Sequence, residues 1–270
     1  MKKLFFVYIA LLLIGAAAFQ GCSLFGKKYE KSVNVSYNIN VSDKKDIRFE
    51  ATTGRIKIFS SVDSLAHVIV KGEFSVRKRD LDNIKEENFL KIDSTGQSVL
   101  ITEDLSGNIR SGIFHFGRES DISFEIYVPN FRPLKIEATN CSMDINEIYS
   151  DIDAEAINGN IKVNNPAGNT EIELTNGKLT GQIDSLKNFS ADLLNGKISL
   201  KLGNKFSGQV DCTAENGSVK VSPATVETVD IEKKNTFIGK TGTSDAKVKL
   251  TVMNGKINLS SEKQKINEDN

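Results

Sequence analysis

Apolar and polar residues alternate along most of the chain between residues 134 and 260, and an asparagine interrupts the alternation at regular intervals. In each repeat, the positions two, four and six before the asparagine and three after it are mainly apolar or small. Alternation with period two is typical of strands that bury one face. The pattern therefore predicts a repeat of strand, turn and strand. The asparagines recur at intervals of 18, 18, 19, 21, 19 and 19 residues, and they are Asn140, Asn158, Asn176, Asn195, Asn216, Asn235 and Asn254.

Two architectures fit this repeat. Asn-Gly between alternating strands is a strong signal for a two-residue hairpin, so an array of antiparallel β-hairpins is one alternative. The residue after the asparagine is Gly in five repeats but Cys141 and Thr236 in the other two, and a β-branched residue tolerates positive φ poorly. This favours a β-solenoid, in which one left-handed Asn per coil bonds to the Asn amides of neighbouring coils. We expect an all-β fold with a seven-coil β-solenoid over residues 134–260, a parallel β-helix taken as right-handed.

The N-terminal region predicts a further coil and a cap. Thr53-Gly54 is flanked by apolar residues in the same phase as the repeats, with Thr in place of Asn. Between this coil and the repeats, alternating runs at 67–76, 89–92, 99–102 and 122–128 are predicted as strands. Together with 33–41 they would form an antiparallel β cap, so residues 32–133 are predicted to form an N-terminal β region. Residues 79–87 fit either a short helix or a solvated connection, and the glycine-rich 104–120 is predicted to be a mobile loop.

The two ends of the chain predict export and attachment. Two lysines followed by the apolar run 4–18 are typical of a secretory signal. Gly21 before Cys22 resembles a bacterial lipoprotein processing site, although Phe19 replaces the usual Leu, and an ordinary signal with an incidental Cys is the alternative. We expect a lipoprotein signal peptide over 1–21, lipidation of Cys22 with membrane attachment through the lipid, and a tether over 22–31. Residues 261–270 are predicted to be a disordered tail.

Composition narrows the possible partners. The 270 residues carry 35 basic and 35 acidic side chains, so no global field attracts nucleic acid. No cofactor-binding or zinc-binding spacing occurs in the sequence, so no cofactor or metal centre is expected. Cys141 and Cys212 lie four coils apart in the predicted solenoid, about 19 Å at the spacing of strands, which is beyond the reach of a disulfide bond. Both thiols are therefore predicted to be reduced, with Cys212 facing the core.

The outward positions supply the one candidate binding surface. Three residues before the asparagine, four consecutive repeats carry an acidic side chain, whereas Lys is frequent on the strand after the turn. Like charges at ~4.8 Å repel by roughly 1 kcal/mol in water, so such a column should attract cations. One hypothesis is that the column binds Ca²⁺ or a cationic partner. The alternative is a solvated face whose repulsion is offset by neighbouring lysines. The four residues, called the acidic column below, are Glu137, Glu155, Glu173 and Asp192.

The repeats contain few residues that are suited to catalysis. The only histidines are His67 and His115, and neither His nor Arg occurs after Arg132. The commonest general base is therefore missing from the repeat region. The chain has no Trp, and Phe and Tyr are few in the repeats, which argues against a sugar-stacking groove there. A β-helical polysaccharide-active enzyme, using clustered carboxylates with a basic partner, stays open as an alternative. No residue is assigned a catalytic role.

The repeat sequences resemble a known family. Ala-Ile-Asn-Gly-Asn-Ile-Lys-Val at 156–163, its echoes in Leu-Thr-Asn-Gly-Lys-Leu and Leu-Leu-Asn-Gly-Lys-Ile, and Phe-Glu-Ile-Tyr-Val-Pro at 124–129 are similar to the bacterial putative-adhesin family of exported β-helical proteins. The resemblance covers roughly residues 32–260 and includes lipoprotein versions. It implies a non-catalytic binding or scaffolding protein of the cell envelope, meeting a protein or glycan. A periplasmic role in envelope maintenance or stress response is the alternative. The expected location is the outer membrane, with the body facing the periplasm or the cell surface.

Overall fold

The computed structural model describes residues 29–61, 67–77, 90–104, 122–222 and 227–261. Within these ranges the chain forms fourteen strands and no helix, which confirms the all-β prediction. The signal, Cys22, the 79–87 segment, most of the predicted mobile loop and nearly all of the predicted tail lie outside the described residues. The strands are β1 (Tyr29–Asn40), β2 (Asp46–Ser60), β3 (His67–Arg77), β4 (Leu90–Asp93), β5 (Ser98–Glu103), β6 (Ile122–Val128), β7 (Leu134–Asn146), β8 (Ile152–Asn164), β9 (Thr170–Ile183), β10 (Asn188–Leu202), β11 (Gly208–Ser222), β12 (Glu227–Lys233), β13 (Thr236–Thr241) and β14 (Lys247–Ser261).

The repeats stack in parallel, as a solenoid requires. Strands β2, β7, β8, β9 and β10 each pair in parallel with the next, and equivalent positions lie opposite one another. Asn140 lies beside Asn158, and Asn158 beside Asn176. A hairpin array would instead pair the two halves of one repeat antiparallel. The solenoid prediction is thus confirmed for these coils, and Thr53 of β2 occupies the asparagine position of the first one.

The last coils do not follow the order of the sequence. Strand β14 lies between β10 and β11 and pairs in parallel with both, so Asn254 sits between Asn195 and Asn216. The expectation of sequential coils is wrong at this point. The repeat period could not have revealed the exchange, because every coil presents the same buried positions and register to either neighbour.

Asn235 does not belong to a coil, which corrects the prediction of seven. Strands β12 and β13 form an antiparallel hairpin whose turn contains Lys234 and Asn235, and β13 pairs antiparallel with β11. Backbone N–H groups of Ala214 and Val219 donate to the carbonyls of Asn235 and Lys234. In this repeat the asparagine therefore forms a hairpin turn, which is the other structure that an Asn turn between alternating strands predicts. The hairpin covers the edge of β11, and six asparagine-bearing coils remain in 134–260.

The N-terminal region is a cap of mixed direction. Strands β1, β3 and β6 pair antiparallel, as predicted, and so do β4 and β5. However, β5 pairs in parallel with the first half of β2, and β6 pairs in parallel with its second half. The two strands together therefore extend the parallel stack by one layer, which contradicts the prediction that all cap strands are antiparallel.

Both halves of each coil send alternate side chains into one continuous core. Phe49, Phe124 and Phe189 are among the largest fully buried side chains, and Phe49 meets Phe124 edge to face at 5.3 Å. Cys141 and Cys212 are both buried in this core and form no disulfide bond. Five strand steps separate β7 from β11, about 24 Å, so the separation is larger than the sequence indicated. Burial raises the pKa of the Cys212 thiol to about 12.

The corner itself departs from the expected geometry. We expected the asparagine in the left-handed region, but positive φ falls on the following glycine, at +148° in both Gly177 and Gly196. A Cβ at Gly196 would lie 1.9 Å from the carbonyl oxygen of Gly177 in the neighbouring coil. Glycine is thus required because the coils approach too closely for a side chain. Cys141 takes this place without positive φ by turning its side chain into the core.

Candidate functional site

The corner asparagines form a hydrogen-bonded ladder along the solenoid. In the spatial order given below, each asparagine after Asn140 donates from Nδ2 to Oδ1 of the one before it at 2.9–3.1 Å, so all the amides point the same way. Such a bond contributes about 1 kcal/mol net. The ladder stabilises the corner. Because its amides bond to one another, they present no pattern that would select a particular ligand. Its members, in spatial order, are Asn140, Asn158, Asn176, Asn195, Asn254 and Asn216, whereas Asn235 is excluded.

A partly buried carboxylate binds the corner of the first coil next to the cap, a role that sequence reasoning missed. Oε2 of Glu103 accepts hydrogen bonds from the backbone N–H groups of Thr52 and Thr53 at 2.5 and 3.3 Å. Burial raises the pKa of Glu103, and these two bonds oppose the shift. The only signal in the sequence was an acidic residue at the end of a short apolar run. The carboxylate therefore satisfies two backbone N–H groups at the corner of the first coil.

The structure brings the acidic column together and extends it by one residue. Glu137, Glu155, Glu173 and Asp192 lie opposite one another on consecutive coils, and Glu50 precedes them on β2. The column ends at β14, where Thr251 takes the same position.

Lys135 neutralises one end of this column. Its Nζ lies 2.9 Å from Oε1 of Glu155, 3.4 Å from Glu137 and 3.6 Å from Asp153. The hydrogen bond to Glu155 and the surrounding carboxylates raise the pKa of Lys135 above its usual range. The side chains are only partly buried, so the pairs are screened by water and each contributes little to stability. At this end of the column the carboxylates are solvated and paired with a neighbouring lysine. This is the arrangement expected under the alternative to cation binding.

Glu173, in the middle of the column, has no such partner among the residues that the structure describes. Partial burial is the main cause of its raised pKa, followed by repulsion from Glu155, Glu171 and Asp192. In the described part of the chain, no three His, Cys, Asp or Glu side chains are placed to hold a metal ion together. Binding of Ca²⁺ or a cationic partner by the column stays a prediction.

An open groove runs across the coils beside the column. It has a volume of about 440 Å³ and is lined by residues at the beginnings of β7, β8, β9 and β10 and by Asp46 and Arg48. A second polar ladder crosses it, because Asn169 donates to Asp151 at 3.1 Å and Asn188 donates to Asn169 at 2.9 Å. The groove holds carboxylates and Lys135, the residue types expected of a polysaccharide lyase. Lys135 is already paired with three carboxylates, an arrangement that disfavours its use as a general base.

A second concavity lies at the cap end of the solenoid and combines aromatic, amide and acid groups. It has a volume of about 270 Å³. Sequence reasoning missed it because its residues come from separate segments around the first two coils. It is lined by Phe59, Ser60, Ser61, Asn130, Asn146, Glu147 and Tyr149.

The fold and these surfaces define a class, the capped β-solenoid with a corner ladder of asparagine. The sequence model of the Toastrack DUF4097 family matches residues 106–260, and the chain belongs to this family. The predicted resemblance to putative adhesins is confirmed, whereas the lipoprotein version is not tested. In the described residues no helix is long and apolar enough to span a membrane. No curated protein matches the chain.

Several solved structures are similar to the chain over most of its length. One is a putative cell adhesion protein from Clostridium sporogenes, 12% identical, with a TM-score of 0.48 over 86% of this chain and 100% of that one. Another is a putative adhesin from Bacteroides fragilis, 10% identical, with a TM-score of 0.40 over 86% and 98%. A third is a putative lipid binding protein from Parabacteroides distasonis, 10% identical, with a TM-score of 0.30 over 85% and 97%.

Proposed function

We propose that the protein is a lipid-anchored binding or scaffolding protein of the cell envelope and that it performs no catalysis. The observation that supports the absence of catalysis is the state of Lys135. Its Nζ lies within 3.6 Å of three carboxylates, and these ion pairs disfavour a role as a general base. In the coils that the structure describes, the remaining outward positions repeat from coil to coil, as a binding surface would, and no single position there stands out as a reaction centre.

Attachment through Cys22 can be tested by metabolic labelling. Cells expressing the full chain are grown with an alkyne analogue of palmitate, and the protein is captured and compared with the Cys22→Ser variant. Label in the wild-type chain that disappears in the variant, together with release of the variant from the membrane fraction, is the expected result. A wild-type chain that fractionates with membranes but takes up no label would overturn lipid anchoring.

Protease treatment of intact cells then distinguishes the two envelope locations. A body on the cell surface is digested, whereas a body that faces the periplasm survives until the outer membrane is opened. Digestion supports an adhesin role, and survival supports a role in envelope maintenance. Release of reducing ends or unsaturated uronates from polysaccharides by the purified protein, lost in a Lys135→Ala variant, would contradict the non-catalytic proposal.

A further inference from the structure

A row of aromatic and amide side chains runs along the outer face of the solenoid, six residues after the corner position. Tyr127 of β6 lies beside Phe59 of β2, which lies beside Asn146 of β7. Asn164 and Gln182 continue the row on β8 and β9. At ~4.8 Å per strand these five positions span roughly 19 Å. We call this row the aromatic-amide strip, and the 270 Å³ concavity lies at its aromatic end.

The aromatic end of the strip is held in place by its neighbours. The rings of Phe59 and Tyr127 stack with centroids 5.3 Å apart and an interplanar angle of 26°. Lys71 places its Nζ 4.8 Å from the Tyr127 centroid, and the Tyr127 hydroxyl donates to Glu125 at 3.2 Å. One face of Phe59 is therefore occupied by Tyr127. Across the concavity, Tyr149 is 58% exposed, although large aromatic side chains are usually buried.

The polar groups are also fixed in orientation. Asn146 accepts a hydrogen bond from Asn164 at 2.7 Å through Oδ1 and donates to the carbonyl of Asp144 at 3.3 Å. The backbone of Glu147 is held by the Ser60 hydroxyl, which donates to its carbonyl at 2.8 Å. The Asn146 amide and the backbone of Glu147 are thus held in place in the lining of the concavity, and the Glu147 side chain is exposed there.

Glu147 occupies a corner where its residue type is unfavourable. Its φ is +50°, and the equivalent residue of the next coil, Asn165, has φ of +47°. Asparagine tolerates this left-handed conformation because its short polar side chain can hydrogen-bond to the nearby backbone. The longer side chain of glutamate is not suited to such a bond, so the strain is not offset. Strained residues cluster at functional sites, and the direction of inference runs from the observed strain to the function. The strain at Glu147 coincides with the concavity that it lines.

We propose that the concavity and the adjoining strip bind an uncharged glycan, with a sugar ring lying between Phe59 and Tyr149. Aromatic faces cover the apolar face of a sugar ring, while amides and a carboxylate exchange hydrogen bonds with its hydroxyls. Among the described residues, the lining contains one acidic side chain and no cation, which disfavours acidic polysaccharides. This inference rests on the proposed function, because it names the partner class of the envelope-binding surface.

The test uses the purified full chain on an array of immobilised neutral and uronate-containing oligosaccharides. Any neutral hit is then titrated as the free oligosaccharide by calorimetry. We expect binding to neutral members, an at least tenfold weaker Kd in Tyr149→Ala, and near wild-type affinity in Tyr149→Phe, which keeps the ring. Leu194→Ala is the matched control, because Leu194 is an exposed apolar residue on β10, away from the concavity.

Glu147→Asn supplies a second variant whose folding is not at risk. Since asparagine suits the left-handed corner, this variant should melt at a higher temperature than the wild type and yet bind the glycan several-fold more weakly. Absence of binding to all neutral oligosaccharides, binding to uronates only, or a Kd unchanged by Tyr149→Ala would each overturn the glycan proposal. Labelling of Cys22 is measured separately, so its failure would refute the anchor and leave the glycan result intact.

Discussion

Replacing Gly196 by Ala tests the packing of the corner most directly. A Cβ on Gly196 would lie 1.9 Å from the carbonyl oxygen of Gly177, and that oxygen belongs to the backbone, so no side chain can move aside. A normal contact needs about 3.2 Å or more, and the two coils would have to separate locally by more than 1 Å, as judged from ordinary van der Waals distances. The φ of +148° adds strain for any residue with a side chain.

The size of the effect follows from these contributions. Backbone strain costs about 1–3 kcal/mol. Separation of the coils also weakens the hydrogen bonds that Asn195 makes with Asn176 and with Asn254, each worth about 1 kcal/mol net. We therefore expect Gly196→Ala to lower the free energy of unfolding by about 3–5 kcal/mol, a large part of the ~5–15 kcal/mol typical of a folded protein.

Urea unfolding followed by circular dichroism measures this change, provided that the slope with urea is unaltered. Gly96→Ala is the matched control, because Gly96 is exposed and a Cβ added there would meet no atom within 4 Å. Its free energy of unfolding should change by no more than about 0.5 kcal/mol. If the two variants were equally stable, the close approach of the coils could not be what requires glycine at the corner.

Four further substitutions test other parts of the structure. Asn195→Ala, which breaks two bonds of the ladder, should lower the free energy of unfolding by about 1–2 kcal/mol. Asn235→Ala, outside the ladder, should change it by less than about 0.5 kcal/mol. Equal losses of the two variants in urea unfolding would contradict the assignment of Asn235 to a hairpin. Glu147→Asn should raise the free energy of unfolding by up to about 1 kcal/mol through relief of left-handed strain, and a lower melting temperature would contradict this. Glu173→Gln should raise the melting temperature at pH 7, because a carboxylate whose folded pKa is raised destabilises the fold when ionised. That gain should fade as the pH falls through the raised pKa towards the ordinary value of 4.5, and a gain independent of pH would point to a cause other than charge.

The repeat allowed register to be predicted but not connectivity. Position by position, the buried residues and the column from Glu137 to Asp192 fell on the expected faces, because a period of two fixes which side chains share a face. The insertion of β14 between β10 and β11 left no trace in the sequence, since either neighbour satisfies the same pattern. Asn235 was misassigned for a related reason, because an Asn turn with flanking alternation serves both a solenoid corner and a hairpin.

The concavity was beyond the reach of sequence reasoning for a different reason. Phe59 and Tyr149 lie ninety positions apart, and only the parallel pairing of β2 with β7 brings them to one place. The scarcity of aromatic residues in the repeats, which argued against a sugar-stacking groove, is correct for the repeats alone. Aromatic side chains gather instead where the cap meets the first coils, a position that no periodicity describes.

The position of the concavity bears on which kind of glycan it would meet. Strand β1 forms the outer edge of the stack at the cap end, and β6, β2 and β7 follow within four strand steps. Only six residues lie between Cys22 and Tyr29 at the start of β1, so the seven steps along the chain span at most about 25 Å. If Cys22 anchors the chain, the concavity lies at the membrane-proximal end and the β12–β13 hairpin at the opposite one. A receptor for another cell would be expected at the far end, so this geometry favours a glycan of the protein's own envelope.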